Sequence, residues 1–174
     1  MMSHINTRII ALGIVITGML IFVFSIGFLL LKPSVENANS TALPDQAAGL
    51  RLTSVSSGNQ ALREITQLHG KEFPLVSGDV GRYGDNNQVI VWVAEAADIA
   101  AAEKILLAMR IRIDEGNSPF TPTGELQIED RTIFTLDGLG QVHFYFQSGK
   151  QIVWVAADVP QVEKALQQFV DYYP

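Results

Sequence analysis

The spacing of apolar residues changes several times along the chain, and each change marks an element. From Ile9 to Leu31 there is no period at all: 23 consecutive residues carry no charge. At a rise of about 1.5 Å per residue such a run crosses a hydrocarbon core of roughly 30 Å, which predicts a single transmembrane helix. A cleaved signal peptide would have a shorter apolar region of about 7–15 residues. The nearest small-residue site, Ser40-Thr41-Ala42, lies well past the end of the run, so an uncleaved signal anchor is expected. Arg8 and the amino terminus outweigh Lys32 and Glu36 on the other flank, and the positive-inside bias then puts the N-terminus in the cytoplasm. The expected layout is a short cytoplasmic tail (1–8), a span of a plasma or inner membrane (9–31), a flexible tether (32–50) and an extracytoplasmic soluble domain (51–174). The tether is read from its Pro, Asn, Ser and Ala content without apolar period.

Within the soluble part, helical and strand periods alternate. Ala61, Leu62, Ile65 and Leu68 share one helical face between Asn59 and His69, with Gly70 placed to end the helix. Lys71 to Val76 reads as a strand at an edge or a strand start, because it contains Pro74. Ile99, Ala102, Leu106, Met109 and Ile113 form a second stripe behind an Asp98 N-cap. Val162, Leu166, Phe169 and Tyr173 form a third behind Asp158, with Pro160 in its first turn. Asp114 to Thr123 reads as a loop, followed by strands at Glu125–Glu129 and Thr132–Leu136 turned at Asp130-Arg131.

The strongest pattern is a recurrence. Ile90-Val91-Trp92-Val93-Ala94 returns as Ile152-Val153-Trp154-Val155-Ala156 at an offset of 62 residues, which also matches Gly78 to Gly140, Val80 to Val142 and Tyr83 to Tyr145. This predicts an internally duplicated β-hairpin–strand–helix unit, with repeat one over about 71–113 and repeat two over about 124–174. Two-residue turns are expected at Asn86-Asn87 and Ser148-Gly149. They would set Gly81 opposite Trp92, His143 opposite Trp154 and Tyr145 opposite Ile152. Both faces of the strands are largely apolar, as in a central strand covered on both sides. The fold class that follows is α+β: a two-layer domain of antiparallel sheet with packed helices, its halves related by a pseudo-twofold axis.

Composition narrows the function. From residue 48 onward there are 10 Lys and Arg against 16 Asp and Glu, a balance unsuited to nucleic acid or to an anionic lipid surface. The absence of Cys removes disulfides, thiolate catalysis and Cys-bound metals. His4, His69 and His143 have no metal-ligand spacing, so no metal, cofactor or catalytic residue is nominated. Gly78, Gly81 and Gly84 are not followed by a helix, as a phosphate loop requires.

Two groups of residues remain as candidates. Pro119, Phe120 and Pro122 stand in a stiff loop that could present Phe120 to a partner, although a loop aromatic more often tucks inward. Arg82, Tyr83, His143 and Tyr145 could meet in a cleft between the repeats. The leading expectation is a non-catalytic binding or assembly module anchored in the membrane by its N-terminal helix, near a membrane-protein partner. The alternatives are a small-molecule or cofactor-binding enzyme using that cleft, and a structural homo-oligomer formed by self-association.

Overall fold

The computed structural model describes residues 43–69 and 73–174. The expected tail, membrane span and most of the tether lie outside the described residues. Among the described residues, no helix is long and apolar enough to cross a membrane.

The protein is α+β. Its elements run β1 (Gln46–Ala47), β2 (Leu50–Ser57), α1 (Gly58–His69), β3 (Leu75–Tyr83), β4 (Val89–Ala96) and α2 (Ile99–Asp114). They continue with β5 (Phe120–Ile128), β6 (Arg131–Gly138), β7 (Gln141–Ser148), β8 (Gln151–Ala157), a 3₁₀ turn (Val159–Gln161) and α3 (Val162–Tyr172). The eight strands form one antiparallel sheet in the order β1-β2-β3-β4-β8-β7-β6-β5.

The sheet curls around α3. Strands sit about 4.8 Å apart, so a flat sheet would hold β1 and β6 roughly 29 Å from one another, far more than a helix diameter of about 10 Å. Yet α3 is bonded to both. Gln168 Nε2 donates to Gln46 O (2.6 Å) and its Oε1 accepts from Ala48 N (2.9 Å). On the other flank Arg131 Nη1 donates to Val170 O (3.0 Å) and Tyr173 O (2.5 Å). Inside the curl, Ala165, Phe169 and Val170 pack with Val89, Val91, Val93, Val153, Val155 and Phe146.

The other face carries α1 and α2. Ala61 and Ile65 of α1 cover Val80 and Ala94, and Gly78 is bare because a Cβ there would stand 2.7 Å from Ile65 Cδ1. Ala102, Ile105, Met109 and Ile113 of α2 lie in the cluster of Tyr145, Ile152, Trp154 and Leu136. Helices on both faces replace the expected two layers. The reason is already in β4 and β8, whose central runs Ile90–Ala94 and Ile152–Ala156 are apolar on both faces and need cover from both sides.

The two recurring runs pair with each other, Trp92 directly opposite Trp154. The expected correspondence stops there. The β3–β4 connection is the five-residue loop Gly84–Gln88, not a turn at Asn86-Asn87, so Val80 faces Trp92 and Gly81 faces Val91. The β7–β8 turn is Gly149-Lys150, which sets Tyr145 opposite Trp154 and His143 opposite Ala156. Loop length sets register, and an odd slip exchanges the faces of a strand. Tyr83 therefore points into the α3 core while Tyr145 points towards α2. The helices that follow the two runs, α2 and α3, also lie on opposite faces.

Two further differences arise in stretches without clear periodicity. β1 and the start of β2 fall within the expected tether. β5 begins at Phe120, inside the expected loop, and its turn to β6 is Glu129-Asp130. Of the two expected caps, Asp98 accepts from Ala101 N at 2.7 Å. Asp158 makes no cap bond and instead accepts from Gln141 Nε2 at 2.9 Å.

Candidate functional site

Trp154, 2% exposed, is the centre of an aromatic stack on the α2 side of the sheet. Its indole lies parallel to Tyr145 with ring centres 4.9 Å apart, and Tyr145 stacks in turn on Phe134 at 5.0 Å. The Arg110 guanidinium closes the far side, 4.4 Å over the Phe134 ring, and pairs with Glu125 at 3.0 Å. Phe120 packs against Trp154 (5.0 Å) and His143 (4.7 Å). It can do so because its cross-strand partner is Gly138, where any Cβ would collide with the Phe120 ring. Gly81, expected opposite Trp92, faces Val91 instead, and it is at Phe120 and Gly138 that an aromatic covers a bare glycine.

Hydrogen bonds fix the stack in orientation. Trp154 Nε1–H donates to His143 Nδ1 at 3.0 Å, so that nitrogen carries no proton, and His143 Nε2–H donates to Gly138 O at 3.0 Å. The imidazole is the neutral Nε2–H tautomer. Burial pushes its pKa below 6.5, against smaller upward pulls from the Gly138 bond and the Asp137 charge.

Beside this floor lies a pocket of about 140 Å³. Met109, Ile113, Phe120 and Trp154 form its base; Leu68, Phe73 and Pro119 form its walls. Gln67, Arg112, Asn117 and Ser118 line its rim. Local chemistry builds that rim. Gly116, at φ +73, turns the chain out of α2, and Asn117 N reaches back to Arg112 O at 3.2 Å. Ser118 Oγ then accepts from Phe120 N at 3.2 Å, steering the chain into β5. A second hollow, lined by Ala108, Ile111 and Glu115, shares Phe73, Arg112 and Asn117 with the first. Ile111 and Leu107, 49% and 55% exposed, continue the apolar surface along the outside of α2.

The residues singled out from sequence fall in different places. Phe120 is buried at 4% exposure and forms part of the pocket base rather than reaching out. Pro119 lines the pocket, whereas Pro122 stands on the exposed edge strand β5. Arg82, Tyr83, His143 and Tyr145 are not brought together. Arg82 leaves β3 to pair with Glu64 of α1 at 2.5 Å. Tyr83 is fully buried on the α3 side, its hydroxyl donating to Pro44 O at 3.0 Å, and burial pushes its pKa up. His143 and Tyr145 belong to the aromatic floor, where burial likewise raises the Tyr145 pKa.

Arg112 and Phe73 were not anticipated. Met109, Ile113 and Leu68 were placed on apolar stripes without a pocket between them. Compared with known proteins, the chain matches no family model, no curated protein and no solved structure. The arrangement thus defines an α+β domain with a largely apolar pocket.

Proposed function

We propose that the chain is a membrane-anchored binding or assembly module, held by an N-terminal helix over residues 9–31. Its domain would lie outside the cytoplasm and receive its partner on the α1–α2 side. The recurring tryptophan strands read as the remnant of a duplication retained only at the centre of the sheet, where β4 and β8 pair. The observation that carries the functional reading is the pocket over Trp154, whose rim runs into the exposed Leu107 and Ile111. Apolar side chains standing outward beside an apolar hollow are the usual signature of a recognition surface, while scattered single ones are not.

Site-specific photocrosslinking in the full chain at native expression tests this. Benzophenone groups at Ile111 and Asn117 should give a discrete adduct, and the same groups at Val55 and Tyr172 should not. An adduct of the chain with itself would move the reading to self-association. Equal labelling from all four positions, or none, would overturn it.

A further inference from the structure

We infer that the pocket over Trp154 takes a compact apolar group bearing a carboxylate, with Arg112 as the residue that selects the acid. This rests on the pocket being the binding surface proposed above. Size sets the apolar part: a cavity of about 150 Å³ lined by aliphatic and aromatic residues holds one benzene, and this one measures about 140 Å³. One phenyl or leucine-sized group fills it.

Charge sets the rest. Among the described residues the half-buried arginines are Arg82, Arg110, Arg112 and Arg131. Three of them have carboxylate partners: Glu64, Glu125 and Glu129. Among the described residues Arg112 has no carboxylate partner and donates no side-chain hydrogen bond, although this part of the chain is rich in acids. Glu115, three residues on, is turned instead to Asn117 Nδ2 at 3.3 Å. A partly desolvated guanidinium with its donors unused, at the rim of an apolar hollow, presents a planar fork that matches a carboxylate. The Ser118 hydroxyl, which accepts from Phe120 N, keeps its own proton to donate beside it.

Such a carboxylate could belong to a free acid or to the C-terminal residue of a polypeptide, and the same titration separates them. The full chain, labelled at Met and Ile methyls, is titrated with 3-phenylpropionate, with 3-phenylpropanamide, and with a hexapeptide ending in phenylalanine, its C-terminus free or amidated. Saturable shifts of the Met109 and Ile113 methyls are expected with the acids, with the amides about tenfold weaker, the loss of one charge-assisted pair. Arg112→Gln, which breaks no side-chain hydrogen bond or ion pair among the described residues, should bring acid and amide to equal affinity. Leu68→Phe, which fills the hollow, should abolish the shifts. A free-acid peptide binding more tightly than phenylpropionate would assign the site to a chain end, and the reverse order to a small acid. Equal binding of acid and amide to the unaltered protein, discrimination surviving Arg112→Gln, or no methyl shift at millimolar ligand would each overturn the inference. Crosslinking from Ile111 that persists alongside any of these would leave the broader reading standing.

Discussion

Replacing Asp79 with leucine should make this protein more stable. Asp79 lies in β3 with its side chain on the α3 side of the sheet, across from Val93 on β4. It is 1% exposed, and neither carboxylate oxygen has a hydrogen-bond partner among the described residues. A buried polar atom left unpaired costs about 1–3 kcal/mol, and more when it carries charge. Leucine is close to aspartate in shape and would pack with the valines and Phe169 of this core. The expected gain is about 2–3 kcal/mol in unfolding free energy, the cost of keeping buried oxygens without a hydrogen-bond partner. For a domain of this length that is roughly 8–12 °C in melting temperature. Asp79→Asn, which removes charge but keeps polar atoms, should gain less. Urea unfolding followed by tryptophan fluorescence measures both, and an unchanged m-value would show that the native fold is retained. A secondary effect is expected at Tyr173. Burial, with the Asp79 charge among the smaller contributors, pushes its pKa up, so the leucine variant should relax that rise slightly. If Asp79→Leu unfolds at lower urea with an unchanged m-value, the carboxylate is held by a partner and the argument from its isolation is wrong.

Two other expectations follow from named contacts. The His143 pKa lies below 6.5 in the folded chain and near it in the unfolded one. Between these values the unfolded state binds the extra proton, so stability should be full above about pH 6.5, fall as pH drops towards the folded value, and level off below it. His143→Gln should remove that slope, and an unaltered slope in the variant would locate it elsewhere. Asp98→Ala should cost about 1 kcal/mol by removing the α2 cap, whereas Asp158→Ala should act through its bond with Gln141 and leave the α3 helix start unaffected. Amide exchange at the two helix starts distinguishes them, and equal loss of protection at both would contradict the difference.

The helices and the two central strands could be read from the sequence because their patterns are local. The period of α1 and the cap of α2 need no knowledge of neighbours, and an all-apolar run such as Ile152–Ala156 already demands cover on both faces. What could not be read depended on loop lengths and on distant chain. The matched tyrosines show this. Tyr83 and Tyr145 are aligned by the repeat, but the five-residue β3–β4 loop shifts one strand against its partner, and the two hydroxyls end on opposite sides of the sheet. β2 was missed although Leu50, Arg51 and Leu52 do alternate, because the tether composition before them masked so short a signal.

The same dependence explains why the pocket was invisible. Arg110 and Arg112 are the same residue two positions apart on one helix, and nothing local separates them. Arg110 is committed because β5 carries Glu125 and β6 carries Phe134 to its side of α2. Arg112 faces the gap where α1, α2 and the start of β5 converge. That convergence requires β5 to begin at Phe120, and the prolines on either side of Phe120 are what made the segment read as a loop. Pro119 precedes the strand, and Pro122 sits on the sheet edge, where a missing N–H breaks no ladder bond and leaves the edge less able to pair with another strand. The prolines therefore helped hide the strand, and the strand supplies Phe120 to the base beneath the one half-buried arginine among the described residues that has no carboxylate partner.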